Sequence, residues 1–448
     1  MSDTKTEAPT AVTGRWPVIA WGLWDWGSAA FNAVITTFVF SVYITSDSFG
    51  SGASAKLGWA LATAGVLIAL FAPITGRRAD SSGRRTFWLT VNTALVIVAS
   101  VGLFFVKPSP DYLWLGLVLL AAGNIFFEFA SVQYNAMLND ISTPDNVGRI
   151  SGFGWGLGYL GGIVLLLIVF YGFIDPEVGL FGVTDKNGLD VRVTMLLCAL
   201  WTLVFSLPVI LTMRDDKAAR QPRGQSVSVI ESYRQLFGTI RDLWNTDRNT
   251  AYFLMASAVF RDGLAGVFTF GGVLAAGTFG FTPSEVIIFA VAANVVAGIA
   301  TIASGTFDDW LGPKPVIVGS LTCMLVAGST IFFLHDRGAT IFWTFGLLLC
   351  VFVGPAQSAS RTFLARLIPE GKEGEIFGLY ATTGRAVSFM APAAWSGFIV
   401  LGAAVTGVAD KDSAEHWGIL GIMLVLGLGL ALLTLVRSGE NPRSALGS

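Results

Sequence analysis

With 448 residues, 53% of them hydrophobic and only 13% charged, and a mean hydropathy of +0.67, this chain has too little polar surface to cover a water-soluble globule. The formal net charge of −2 gives no electrostatic basis for binding nucleic acid. Three dispersed cysteines, Cys198, Cys323 and Cys350, and two histidines, His335 and His416, supply neither a disulfide framework nor a metal set; with no G-x-S-x-G, H-E-x-x-H or phosphate-loop motif, no cofactor, metal or enzymatic activity is expected.

A helix that crosses a bilayer needs about 20 mostly apolar residues. Such runs lie at 16–44, 56–75, 86–106, 112–138, 149–174, 191–213, 250–277, 284–304, 315–335, 339–361, 375–402 and 416–436, which predicts an all-α integral membrane protein of twelve spans. Residues 1–15 and 437–448 read as polar tails, and the first has no apolar core followed by a small-residue cleavage site, so no signal peptide is expected. The longest connection, 214–249, divides the chain into a six-helix half over 16–213 and another over 250–436. Within that connection Val227 to Trp244 spaces apolar residues at helical intervals, predicting an amphipathic helix on the membrane surface, with a mobile linker as the alternative. Twenty of the 28 Lys and Arg residues, Arg361 counted among them, fall on the side of the two termini. The positive-inside rule then places both termini in the cytoplasm. Short loops and the lack of a targeting extension favour a multi-pass protein of a bacterial inner (plasma) membrane.

Ionisable groups at membrane depth cost about 2.5–3.5 kcal/mol each even on the insertion scale, so those inside spans are functional candidates. Span 1 sets Asp25, Ser28, Asn32 and Thr36 on one helical face, and span 4 does the same with Asn124, Glu128, Ser131 and Asn135. Span 7 carries Arg261 and Asp262, span 10 carries Gln357, and spans 3, 9 and 12 have no ionisable group in their interiors. Trp155 and Tyr159 in span 5, with Tyr380 and Arg385 in span 11, complete the expected solute and proton pathway; packing is the alternative for the aromatics. The acids Asp25, Glu128 and Asp262 exceed the bases Arg261 and Arg385, and an unpaired buried carboxylate tends to take up a proton, making the proton the candidate coupling ion. In the opposing reading these charges are static helix ties, such as Arg385 with Glu128 or Arg261 with Asp262.

An internal repeat organises these spans. Gly76, Asp80 and Gly83 after span 2 match Gly305, Asp309 and Gly312 after span 8 at an offset of 229 residues, and Leu138, Ile150, Gly152 and Gly158 match Leu364, Ile376, Gly378 and Gly384 at an offset of 226. Duplication of a six-span unit explains both, and parallel six-span halves are the architecture of major facilitator transporters. The stretch Gly76 to Arg85 resembles the cytoplasmic loop of that superfamily, G-x-x-x-D-r-x-G-R-[RK]. The resemblance implies that Asp80 belongs to a gate, with Arg84 and Arg85 holding the loop at the cytoplasmic face, and that Gly305, Asp309 and Gly312 form a second gating loop. It also implies that spans 1, 4, 7 and 10 line a central cavity.

Three segments narrow the likeness. Trp24-Asp25-Trp26-Gly27-Ser28-Ala29-Ala30-Phe31, then Gln133 to Leu138 with Gly148 to Gly162, and finally Gly378-Leu379-Tyr380 with Gly384-Arg385 and Ser388-Phe389, resemble the vacuolar amino-acid effluxer family named from autophagy and its bacterial relatives. Trp24, Ser28, Ala29, Asn139 and Ala391 depart from that pattern. The glycines between Gly152 and Gly162 read as a close-packing surface against the other half. The expected protein is a secondary transporter, with efflux of amino acids or related metabolites as the leading activity and export of amphipathic compounds or lipids as the alternative. A channel fits duplicated halves less well, and lipid chemistry lacks a nucleophile with a base. The expected partners are a small solute, protons and membrane lipids, and a monomer is expected.

Overall fold

The computed structural model describes residues 14–437 apart from 51, 214, 216–228, 370 and 408–410, so the two predicted tails fall almost wholly outside the described residues. Among the described residues, twelve helices are long and apolar enough to cross a membrane: α1 Arg15–Ile44, α2 Ala53–Ser82, α3 Arg85–Leu103, α4 Pro110–Ile141, α5 Val147–Ile174, α6 Lys186–Thr212, α7 Arg248–Gly277, α8 Glu285–Leu311, α9 Pro313–Phe333, α10 Ala339–Leu367, α11 Glu373–Thr406 and α12 Ala414–Thr434. A bilayer core offers backbone groups no water, and helices answer that by bonding every carbonyl within the segment. Of the predicted amphipathic stretch, residues 229–244 fall in a helix over Val229–Thr246, and residues 227 and 228 lie outside the described residues. Its Trp244 ring meets Tyr252 of α7 at 5.9 Å.

The helices form two six-helix halves, α1–α6 and α7–α12, that meet mainly where α2 packs on α11 and α5 on α8. Close approach at these seams uses glycine. On α5, Gly152 and Gly156 lie against Thr301, Gly305 and Ile302 of α8, whereas Gly154, Gly158 and Gly161 face α1 at Trp21, Asp25 and Trp26. The glycine-rich face expected to serve the other half thus serves both neighbours, because successive even-numbered positions turn through 200° on a helix.

Several helices outrun their apolar stretches. Hydropathy ends span 2 at residue 75 and span 8 at 304, but α2 continues to Ser82 and α8 to Leu311, so the two expected gating loops are largely helix. What ends α2 is Gly83, in a left-handed conformation with φ 59°, and α8 stops at Gly312 with φ 87°. By the same effect α10 runs to Leu367, six residues past its predicted end, which places Arg361 inside a helix. Several helices are irregular within their spans, with π-helical stretches at Phe170–Ile174 of α5 and Phe342–Gly346 of α10 as well as in α1. In α1 the stretch Ala30–Phe38 is π-helical, and the hydroxyls of Thr36 and Thr37 donate to the carbonyls of Phe31 and Asn32, five residues back. Such wide turns recur at functional sites. In α11 the helix breaks after Val387 and restarts at Met390, with Pro392 in the first turn of the new segment, where its missing N–H costs nothing.

Candidate functional site

A cavity of about 820 Å³ lies between the halves. Asp25 and Asn32 of α1, Glu128 and Asn135 of α4, Trp155 and Tyr159 of α5, Arg261 of α7, Gln357 of α10 and Tyr380 of α11 line it, all of them predicted pathway residues. Three others, Asn124, Asp262 and Arg385, are not among the residues that line it, although Arg385 pairs with the lining Glu128. Hydrogen bonds and ion pairs join the halves from Arg385 with Glu128 at mid-depth to Arg85 with Glu373 at the end carrying the termini. The cavity extends toward the opposite end, where Thr37, Gly272, Val286 and Phe342 line it.

The floor of the cavity is built around Arg361, which is only 2% exposed. From α10 its Nε donates to Ser151 Oγ at 3.0 Å, one terminal nitrogen to the Ser151 carbonyl at 2.6 Å, and the other to Asn135 Oδ1 at 3.2 Å. The same nitrogen lies 3.8 Å from Asp25 Oδ2, and Tyr134 donates to that oxygen at 3.1 Å. The aromatic residues of the Trp24-Asp25-Trp26 segment explain how Asp25 is aimed. Trp24 donates to Thr93 of α3 and stacks on Tyr134 at 4.4 Å, while Trp21 donates to the Tyr134 carbonyl and stacks on its other face at 4.3 Å. Tyr134 is clamped between two indoles, so its hydroxyl can point only toward Asp25. Arg361 thus ties α10 of one half to α1, α4 and α5 of the other.

Arg361, expected among the loop residues, is instead buried within α10. With it inside, three intramembrane acids face three bases, and the expected acid excess disappears. Asp25 pairs with Arg361, and Glu128 pairs with Arg385, which also lies 3.5 Å from Asn124 Oδ1. Asp262 points away from the cavity because it caps the broken α11: its Oδ2 accepts from the Ala391 N–H at 2.6 Å. A carboxylate there satisfies donors that the restarted helix leaves open. Arg261, its chain neighbour, lies about 100° round the helix and lines the cavity. It stacks on the Tyr380 ring at 3.7 Å and donates to the Tyr380 carbonyl at 3.2 Å, with no carboxylate within ion-pair distance among the described residues. Tyr159 donates to Gln357 across the halves at 3.1 Å.

Two polar clusters close the terminal-bearing end. In the first, Asp80 accepts from the Glu375 N–H at 3.0 Å, at the N-terminus of α11, and from Arg85 Nε at 2.9 Å. Arg85 also reaches Asp140 at 3.0 Å and Glu373 at 2.5 Å, and Arg77 lies 3.5 Å from Glu375. In the second, Asp309 accepts from the N–H groups of Gly148 and Arg149 at 2.7 and 3.1 Å, at the N-terminus of α5, and from Arg149 Nε at 2.9 Å. Arg366 lies 3.4 Å from Asp308 and 3.6 Å from Asp309. Gly76 and Gly305 sit where the partner backbones, at Gly374 and Gly148, leave no room for a Cβ. Arg84 joins neither cluster; its guanidinium stacks on Phe87 at 4.3 Å.

Sequence reasoning missed Arg361, Tyr134, Ser151, Glu373, Glu375, Arg149 and Arg366. The repeat held a usable signal for two of them: at the 226-residue offset Arg361 aligns with Asn135, already assigned to a span, and Arg366 aligns with Asp140. Among the described residues, no group of three His, Cys, Asp or Glu side chains could hold a metal.

A profile of the family described as "Vacuole effluxer Atg22 like" matches residues 140–442. The chain belongs to this family. The MFS-type transporter YxiO of Bacillus subtilis is 26% identical to it over 417 residues, 91% of this chain and 92% of that one. Autophagy-related protein 22 of Yarrowia lipolytica is 22% identical over 349 residues, 72% of this chain. The chain spans 56% of that fungal relative's length. Among solved structures, the proton:xylose symporter XylE superposes with a TM-score of 0.72 at 12% identity, covering 97% of this chain and 98% of that one. A bacterial homologue of ferroportin in an outward-facing state superposes with a TM-score of 0.67 at 13% identity, covering 94% and 98%. This Atg22-like chain is thus a major facilitator transporter, with the superfamily's fold and a role in moving a solute rather than transforming it.

Proposed function

We propose that this Atg22-like transporter exports small organic solutes, amino acids and related metabolites among them, from the cytoplasm of a bacterial cell by alternating access coupled to protons. The charge asymmetry of the loops supports cytoplasmic termini, and the family's description as effluxers supports the direction. The observation that carries the mechanism is the pair of Asp-capped helix N-termini at Asp80 and Asp309, which hold the halves together at one end while the cavity extends toward the other. Each cap is a charge-assisted contact between halves that rocking must break, so the two clusters act as locks on the cytoplasmic side.

Coupling is assigned to Asp25. Its contact with Arg361 is looser than that of Glu128 with Arg385, and it joins opposite halves at the cavity floor. A proton on Asp25 removes the charge that holds Arg361 toward α1, loosening the floor. The test uses proteoliposomes: Asp25→Asn should still exchange labelled solute but fail to concentrate it against a gradient. Full pH-driven accumulation by Asp25→Asn would refute the assignment.

A further inference from the structure

The charges of the cavity are not matched, and the mismatch is on one side. Both acids on its wall are occupied, Asp25 by Arg361 and Tyr134, Glu128 by Arg385. Arg261 is the wall cation without an acidic partner among the described residues, and its one hydrogen bond there goes to the Tyr380 carbonyl. The Tyr380 ring beneath the guanidinium holds its plane in place at the cavity wall. A guanidinium fixed in this way presents the donor fork that fits a carboxylate in bidentate fashion. Its field is strengthened by the low-dielectric walls around it.

Beyond Arg261 toward the open end, four aromatic side chains join the wall, beside the polar Asn32, Thr37, Thr269 and Asn294. Phe268 lies one heptad further along α7, roughly 10 Å at the helical rise, and stacks with Tyr159 across the cavity at 5.9 Å. Phe270 stacks with Trp395 at 4.7 Å on the same side. Phe268, Phe270, Tyr159 and Trp395 all line the cavity.

From this arrangement we infer that the preferred load is a small monocarboxylate with an apolar, ring-sized body and no free amine: the carboxylate docks on Arg261, and the body lies against the Phe268 and Phe270 aromatics. A zwitterion is accommodated at a penalty, since its ammonium finds no unoccupied acid and must compete with Arg361 or Arg385 for one. The inference rests on the transport reading above and narrows its solute class.

The test compares three matched probes: 3-phenylpropionate, phenylalanine and phenethylamine. Thermal stabilisation of the purified full-length protein reports affinity through the ligand's preference for the folded state. The expected order is 3-phenylpropionate tightest, phenylalanine at least ten-fold weaker, and phenethylamine without effect. Arg261→Gln should weaken 3-phenylpropionate at least ten-fold and erase the difference between the acid and the amine. Arg261→Lys, which keeps the charge but loses the fork, should fall between, and it serves as the reporter if the Gln variant does not fold. Tighter binding of phenylalanine than of 3-phenylpropionate, equal binding of the amine, undiminished binding by Arg261→Gln, or no binding of any probe would overturn the inference. Spin-label distances across the cytoplasmic locks are read in parallel: if they still interconvert when the probes fail, the solute class is wrong and alternating access stands.

Discussion

The two locks share a backbone plan and differ in how charge is placed on it. In both, an aspartate near the end of a helix, Asp80 on α2 or Asp309 on α8, accepts N–H groups from the first turn of a helix in the opposite half. Around Asp80 stand three further acids, Asp140, Glu373 and Glu375, served by Arg85 and Arg77. Around Asp309 two acids meet two bases, Arg149 and Arg366. The repeat shows where the difference arose: Arg149 aligns with Glu375, and Arg366 aligns with Asp140. The duplicated halves kept the helix cap, which depends on backbone geometry, and exchanged the side-chain charges, which need only balance locally. In the first lock Arg85 alone meets three acids and Arg77 a fourth, whereas in the second Arg149 and Arg366 share Asp309.

This contrast can be broken most severely at Arg85. Arg85→Ala leaves Asp80, Asp140 and Glu373 without their common base, and removing one partner of a buried charge cluster costs about 3–5 kcal/mol. Spin labels at Ser81 and Lys372 should show the α2–α11 end parted in most molecules, with accumulation of solute lost. Asp309→Asn comes next, at about 2 kcal/mol, because it strips the shared acceptor from two arginines and leaves an excess of positive charge. Labels at Asp145 and Leu311 should report the widening between α5 and α8. Asp80→Asn should be milder, about 1 kcal/mol, since the amide oxygen can still cap α11 and the change relieves an acid-rich cluster; solute affinity should be unchanged in the thermal-shift assay. Equal effects of the two Asn variants would show that charge balance does not distinguish the locks. Smallest is Arg84→Ala, within about 0.5 kcal/mol, with transport rates at the wild-type level, because the Arg84 guanidinium stacks on Phe87 and joins neither lock.

The spans, their number and the duplicated halves were legible because the bilayer imposes a length and a hydropathy that a linear scan can measure. The caps at Asp80 and Asp309 were foreshadowed by the Gly-x-x-x-Asp spacing. Arg361 was hidden by the rule that otherwise worked best: counting arginines near the ends of apolar runs treats each as a loop residue, and hydropathy does not register that α10 continues beyond it. Asp262 was misplaced for a different reason. Periodicity assigns a side chain to a helix face, but its partner, a free N–H, exists only because α11 breaks at a distant point in the sequence. The lock acids Glu373 and Glu375 gave no local signal, since their meaning depends on Arg85 and Arg77, some 300 residues away.

The break in α11 gives that helix the mechanics of a jointed limb. Its lower segment, Glu373–Val387, is 15 residues long and begins on a carboxylate of the opposite half, Asp80. Its upper segment, Met390–Thr406, begins on a carboxylate of its own half, Asp262 of α7. When Asp80 lets go, the shin is free to swing while the thigh stays strapped to α7, and the knee falls at Ser388 and Phe389. Tyr380 and Arg385 ride on the moving segment, so the floor under Arg261 and the counter-ion of Glu128 leave together in one stroke.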